Sequence, residues 1–170
     1  MDEEVSWYRS VKAAEKKYGA PVHVSLAIMY QESHFASDAK PPREKLFGVV
    51  PWFRPTTAFG FAQVTDDTWE WYQLKTGNHS ADRDDFDDAA DFVGWYIVQS
   101  SKRFGIAKSD TYNQYLAYHE GHGGFKSKTY NKKPWLKKVA QKVDDNAQRY
   151  KRQLKQCSSE LNSNSIWSLF

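Results

Sequence analysis

Glu32 is the carboxyl group in this sequence whose neighbours best suit it to acid chemistry. Ile28, Met29 and Phe35 stand three and four positions away, so one face of a predicted helix is apolar around it. A carboxyl group among such side chains is costly to ionise, and its pKa therefore rises. A group of this kind keeps its proton near neutral pH and can protonate the leaving oxygen of a glycosidic bond. Taken alone, the fragment favours a simpler interpretation, a glutamate that points to water from a fraying helix end.

A second group of titratable residues stands at His119, Glu120 and His122. The order His-Glu-Gly-His is one residue shorter than the His-Glu-x-x-His pattern that binds zinc from a single helix face. Gly121 also lies where this helix is expected to end. We therefore predict no metal site and no cofactor, and we expect the other histidines to be structural or surface residues.

The elements that must position these groups are predicted to be helices. Glycine and proline indicate several ends: Gly19 and Gly105 suit left-handed helix termini, while Pro21 and Pro134 suit helix starts. The segment 22–35 is apolar on nearly every side, which is typical of a buried central helix. The helices are predicted over residues 3–18, 22–35, 66–74, 85–104, 110–119 and 134–156, with Thr65, Asp84 or Asp85, and Ser109 or Asp110 as N-terminal caps.

The totals indicate one domain. A chain of 170 residues with 40% apolar and 16% aromatic residues can bury one substantial core. We expect the domain to span residues 1–156 and the Ser- and Asn-rich segment 157–170 to be a mobile tail. The single cysteine, Cys157, excludes an intramolecular disulfide bond. Six aspartates between positions 82 and 91 lack the Gly and Glu spacing of a calcium loop and are expected to cap helices and bind water.

The first residues of the sequence bear on how the protein is exported. The acidic start, Met1-Asp-Glu-Glu, lacks the basic and then apolar pattern of a signal peptide. We expect either another export route or a leader that has been removed. The sequence contains no run of about 18 apolar residues, so no membrane span is predicted.

Residues 126–155 carry eleven Lys and Arg against two Asp. A surface for phosphate-bearing polymers and a solvated helix face are both consistent with this excess.

Three short motifs resemble those of the soluble lytic transglycosylase family, within the lysozyme-like superfamily. Ile28-Met-Tyr-Gln-Glu-Ser-His-Phe35 resembles its glutamate–serine motif, and Gly60-Phe-Ala-Gln-Val64 its Gly-Leu-Met-Gln-Ile segment. Ala117-Tyr-His-Glu-Gly121 is similar to its Ala-Tyr-Asn-Ala-Gly motif. The motifs occur in the family's order across roughly residues 20–140. The resemblance implies an all-α, lysozyme-like domain that acts on peptidoglycan glycan strands.

The resemblance also implies roles for individual residues. Glu32 matches the single catalytic acid and base, and Ser33 the serine that orients the sugar or the acid. Gln63 matches the glutamine that binds substrate, and Tyr118 the tyrosine that contacts the catalytic carboxyl group. The remaining substrate-binding positions implied by these motifs are Phe61, Ala62, His119 and Glu120.

Two features depart from the family pattern. The connection between Glu32 and Gln63 is longer than usual, and the surplus, about Lys40–Thr57, is rich in aromatic residues and proline. We expect it either to cover the cleft, with Trp52 and Phe53 touching sugar, or to form a surface loop held by its own aromatic residues. The second departure is His119-Glu120 in place of Asn-Ala.

The implied reaction is that of a lytic transglycosylase, a carbon–oxygen lyase that cleaves the β-1,4 bond between MurNAc and GlcNAc and leaves a 1,6-anhydro end. An alternative is a hydrolase that activates water with a second carboxylate, for which Glu120, Asp66 and Asp67 are candidates. An alternative of another class is a wall-binding or secretion-machine assembly protein without activity.

The expected setting follows from the implied substrate. We predict the periplasm or cell envelope as the location and glycan strands as the partner. A compact catalytic domain without an evident wall anchor suggests local wall opening by an envelope-spanning secretion machine or a phage, with general wall turnover as the alternative. We expect no nucleic-acid partner, since the basic residues carry no recognition motif.

Overall fold

The computed structural model describes residues 2–40, 45–46, 50–51 and 56–167, and it confirms the mainly α fold class. A 3₁₀ helix, Thr129–Lys132, joins the last two helices. Two short strands, β1 (Lys45–Leu46) and β2 (Val50–Pro51), pair antiparallel with Lys45 opposite Pro51. The helices are α1 (Asp2–Tyr18), α2 (Val22–Ser33), α3 (Asp66–Thr76), α4 (Phe86–Phe104), α5 (Thr111–Lys126) and α6 (Pro134–Trp167).

The packing places α2 at the centre, as its apolar sequence predicts. Val24, Ala27, Ile28 and Met29 are completely buried, and α2 contacts α1, α4 and α6. In addition, α1 packs along α4, and α6 packs against α5. None of the described helices combines the length and apolarity that crossing a bilayer requires.

Local capping chemistry fixes several helix starts. The Asp85 side chain accepts a hydrogen bond from the Asp88 backbone N–H at 3.1 Å and begins α4. Asp110 does the same for the Asn113 N–H at 3.1 Å and begins α5. Thr65 precedes α3 as predicted, although its side chain makes no capping hydrogen bond.

Four predicted helix ends differ from the structure. The helix α3 ends at Thr76 rather than near residue 74. The helix α2 stops at Ser33 rather than Phe35, because His34 and Phe35 both have positive φ angles. The helix α5 continues past His119 to Lys126, and Gly121 forms a kink within it at φ 67° and ψ 165°. The backbone of α6 stays helical to Trp167, beyond the predicted end near residue 156. The mobility of the tail stays a prediction.

Among the six clustered aspartates, Asp91 joins three helices through its side chain. The Asp91 carboxylate accepts hydrogen bonds from the hydroxyl groups of Tyr18 at 2.9 Å and Tyr72 at 2.8 Å, and it pairs with Lys17 at 2.7 Å. It therefore ties α1 and α3 to α4. The interpretation of this segment as helix caps and solvated charge holds for Asp85 and is wrong for Asp91.

Candidate active site

A cleft of about 450 Å³ brings together residues that are distant in the sequence. Its wall includes Glu32 from the last turn of α2, Gln63 from the turn before α3, and Tyr118, His119 and Glu120 from α5. Five residues expected at the site therefore share one cavity. Their individual roles in binding and catalysis stay predictions.

Glu32 meets the cleft in an environment that favours its protonated form. Its Oε1 atom is buried and receives no hydrogen bond from the described residues. Burial raises the pKa of Glu32 to about 7, and a hydrogen bond from the Tyr115 hydroxyl opposes part of that rise. A carboxyl group with this pKa can donate a proton near neutral pH and accept one back later in a reaction.

Two tyrosines of α5, Tyr115 and Tyr118, lie near the carboxyl group of Glu32. The Tyr118 hydroxyl donates to the Ala62 carbonyl oxygen at 2.6 Å, so its proton is used on the backbone. Hydrogen bonding to Tyr115 lowers the pKa of Glu32. Burial, followed by the nearby Glu32 charge, raises the pKa of Tyr115, which keeps this hydroxyl a neutral donor. Burial, and then the Glu32 charge, raises the pKa of Tyr118, so the contact between Tyr118 and Glu32 stays a prediction.

The turn that carries Gln63 is tightly held. Phe59 and Val64 close it through a backbone hydrogen bond of 3.2 Å. Gly60 adopts a φ of +77°, and a Cβ atom there would lie 2.0 Å from the Arg83 carbonyl oxygen. Close approach of backbone and positive φ both require glycine at this position.

Gln63 itself adopts a conformation that is rare for residues with a side chain, at φ 47°. Its Nε2 atom donates to the carbonyl oxygens of Ala39 at 2.7 Å and Gly60 at 3.0 Å. Both amide protons are thus engaged, and the amide oxygen is the group left to accept a hydrogen bond from a sugar hydroxyl. Strained backbone of this kind often occurs at functional sites.

Three residues expected to bind substrate lie behind the cleft. Ser33, Phe61 and Ala62 are 6%, 6% and 0% exposed and do not line it. The Ser33 hydroxyl donates to the Phe61 carbonyl oxygen at 2.8 Å, which attaches the Gln63 turn to the end of α2. The Phe61 ring packs edge-on against Phe86 at 5.1 Å in the core. These three residues support the cleft, and their contact with substrate stays a prediction.

Glu120 is the second carboxyl group in the cleft, and three donors engage it. Its side chain is only 2% exposed, with Lys133 Nζ at 2.7 Å, His119 Nδ1 at 3.3 Å and the Thr129 hydroxyl also in contact. Burial opposes ionisation, but the hydrogen bonds from Lys133, Thr129 and His119 outweigh it and lower the pKa of Glu120. Glu120 therefore carries its charge in an ion pair, unlike Glu32.

The other carboxylates considered for a water-activating role lie outside the cleft. Asp66 pairs with Arg83 at 2.7 Å, and neither Asp66 nor Asp67 contributes to the cleft wall. Their proposed part in a hydrolase stays a prediction. Within the described ranges, no group of three or more His, Cys, Asp or Glu residues is arranged to hold a metal ion.

The long connection borders the cleft at its C-terminal end. Thr56 and Ala58 line the cavity. Trp52 and Phe53, the residues proposed to touch sugar, lie outside the described residues, so both predictions for this segment stay open.

Sequence reasoning did not identify several residues of the site. Tyr115 lies one helical turn before Tyr118, and this spacing was the available signal that both could face Glu32. The other additional residues lie on α3, α4, α5 or the connections between helices. They are Thr56, Ala58, Val64, Thr65, Thr68, Phe92, Tyr96 and Gly121.

Comparison with known proteins agrees with this geometry at the level of the family. The family model described as "Transglycosylase SLT domain" matches residues 1–157. No curated protein and no solved structure matches the chain significantly. Because the match covers most of the 170 residues, the chain belongs to the transglycosylase SLT domain family.

Proposed function

We propose that this protein cleaves the β-1,4 bond between MurNAc and GlcNAc as a lytic transglycosylase, with Glu32 as its single acid and base. The observation that carries the proposal is the buried carboxyl group of Glu32 in the cleft wall, with a pKa of about 7. Membership of the family supports transglycosylase-type chemistry on peptidoglycan.

In the proposed reaction, Glu32 gives its proton to the glycosidic oxygen, and the bond between that oxygen and the anomeric carbon breaks. The C6 hydroxyl of the same MurNAc attacks the anomeric carbon, and its proton passes to Glu32. The new bond between C1 and O6 gives a 1,6-anhydro end. Glu32 returns to its starting state, and no water is consumed, so the reaction is that of a lyase.

The state of Glu120 favours this route over hydrolysis. An inverting hydrolase needs a free second carboxylate to activate water on the far side of the sugar. Glu120 lies in the cleft, but Lys133 and Thr129 engage its carboxylate. Such a group is a poor base for water. Hydrolysis with Glu120 remains the second candidate, because Glu120 shares the cavity with Glu32.

Mass spectrometry of peptidoglycan after digestion tests the proposal. The expected products carry 1,6-anhydro ends, 18 mass units lighter than the reducing ends that water would give. Reducing ends would identify a hydrolase. Intact glycan strands after digestion with a protein that still binds them would identify a wall-binding protein without activity.

We further infer that the protein acts in the periplasm or cell envelope, where its proposed substrate lies, and that it opens the wall locally for a secretion machine or a phage. Deletion of the gene tests the second part. Loss of secretion or infection with normal growth is the expected result, whereas altered cell shape with secretion and infection intact would indicate general wall turnover.

A further inference from the structure

A second cavity of about 230 Å³ opens beside the catalytic cleft. Thr68, Tyr96 and Gly121 line both cavities, so the two adjoin each other. Trp71, Arg103 and His122 complete the wall of the second cavity. A ligand held in the cleft can therefore extend a branch into this side cavity.

Arg103 brings a positive charge to the side cavity. Its guanidinium carbon lies 5.0 Å from the centre of the Trp71 ring, a cation–π contact. Trp71 is fixed by edge contacts with Trp95 at 4.4 Å and His122 at 5.6 Å between ring centres. Among the described residues, no carboxylate pairs with Arg103. A guanidinium group over an aromatic ring keeps N–H donors available for a carboxylate.

The rest of the side cavity is uncharged at neutral pH. The His122 ring stacks on Tyr96 at 4.4 Å, with Ser100 Oγ 2.9 Å from its Nε2. Burial, with the Arg103 charge adding to it, lowers the pKa of His122 to about 4. The described lining residues therefore present one charge, that of Arg103, and the cavity favours an anionic group.

We infer that this side cavity binds a carboxylate of the stem peptide of peptidoglycan, through Arg103. The inference rests on the proposed function. The sugar hydroxyl and acetamido groups of the glycan strand are neutral, and the carboxylates belong to the peptides attached to the lactyl group of MurNAc. A cationic cavity of about half the volume of the glycan cleft, with part of its wall in common, suits such a branch.

Binding measurements with paired ligands test this subsite. Glycan oligosaccharides of equal length are prepared with their stem peptides and after removal of the peptides by an amidase. Titration calorimetry with the Glu32→Gln protein, which should bind without turnover, gives a Kd for each ligand. The Glu32→Gln protein is compared with the same protein carrying Arg103→Met, and with Lys102→Met as the matched control. Lys102 is exposed on the same turn and does not line the cavity.

We expect the Glu32→Gln protein to bind the peptide-bearing glycan about fivefold to tenfold more tightly than the glycan without peptides. A ratio of about this size is the low end for a charge-assisted hydrogen bond at an exposed site. Arg103→Met should bring this ratio close to one, and Lys102→Met should leave it unchanged. An unchanged ratio in Arg103→Met, or an equal loss of affinity for both ligands, would overturn the subsite while leaving the proposed function intact.

Failure of the proposed function gives a different result. If the wild-type protein produces no cleavage of either glycan, yet Arg103 still controls the preference for stem peptides, the reaction is wrong and the subsite stands. Absence of binding to both glycans by a folded protein would overturn both. Thermal melts of each variant establish that the protein is folded.

Discussion

Hydrogen bonding to the Tyr115 hydroxyl of α5 lowers the pKa of the Glu32 carboxyl group of α2. Burial raises the pKa of Glu32 to about 7, and this hydrogen bond limits the rise. Hydrogen bonds of this kind stabilise the ionised carboxylate. Tyr115 therefore helps to set the pH range over which Glu32 can act first as an acid and then as a base.

We predict that Tyr115→Phe moves the alkaline limb of the pH profile. The first step requires protonated Glu32, so kcat/KM of the wild-type protein should fall as the pH rises through about 7. Removal of the hydrogen bond raises the pKa of Glu32 further, and the fall should begin at a higher pH. Tyr112→Phe, on the same helix but outside the cleft wall, is the control. An alkaline limb that does not move in Tyr115→Phe would contradict this role.

The same burial makes stability depend on pH. The pKa of Glu32 is about 7 in the folded protein against an ordinary value of 4.5, so the folded state holds this proton more tightly than the unfolded chain. The contribution of Glu32 to the free energy of unfolding therefore falls between these pH values, by about 3 kcal/mol. Glu32→Gln removes that titration, and its melting temperature relative to wild type should rise across this range. A difference that stays constant from pH 4 to pH 8 would count against a buried, protonated Glu32.

Two serines of α2 offer a matched pair of substitutions. Ser33→Ala removes the hydrogen bond to the buried Phe61 carbonyl oxygen, which should cost about 1–3 kcal/mol of unfolding free energy and raise KM as the Gln63 turn loosens. Ser25 is also fully buried, but its hydroxyl has no partner among the described residues. Ser25→Ala should therefore leave stability unchanged or slightly higher. Urea unfolding of both variants measures the two changes in the free energy of unfolding. Equal losses would contradict a stabilising role for the Ser33 hydrogen bond.

Two glycines separate backbone strain from steric clash. Gly60 and Gly77 have nearly equal φ angles, +77° and +74°. Alanine at either position should cost about 1–2 kcal/mol for the left-handed conformation. At Gly60 the added Cβ would also meet the Arg83 carbonyl oxygen at 2.0 Å, whereas nothing lies within 4 Å at Gly77. Thermal melts should show a much larger loss for Gly60→Ala, with loss of activity. Equal melting temperatures would contradict the tight packing of this turn.

Helix ends governed by local chemistry could be predicted from sequence. The caps at Asp85 and Asp110 depend on backbone groups three residues away, and Gly19 and Gly105 end their helices through their own backbone freedom. The kink at Gly121 was harder to predict from the sequence, because the chain resumes a helical conformation after one non-helical residue. Only tertiary packing decides between a kink and an end.

The sequence predicted which segments form the site, but it predicted fewer of the contacts between individual side chains. Ser33 follows Glu32 directly, and successive helix residues point about 100° apart, so the two could not share one face. Tyr115 and Tyr118 lie on the same face, and burial followed by the Glu32 charge raises the pKa of both hydroxyls. Glu120 and Lys133 form an ion pair, and a kink and a 3₁₀ helix lie between them in the chain. Their spacing in the sequence therefore could not predict that their side chains meet.

The central claim is that Glu32 alone supplies the acid and the base. The most direct test is the initial rate at which Glu32→Gln and Glu120→Gln release 1,6-anhydro ends from purified peptidoglycan, with thermal melts in parallel. Glu32→Gln should fold and lose about 10²–10⁴-fold in turnover, the usual contribution of general acid catalysis. Glu120→Gln should lose much less, because it breaks an ion pair with Lys133 but removes no proton donor. Equal and severe losses in two folded variants would contradict the single-glutamate mechanism, and full activity in Glu32→Gln would contradict the assignment of the site.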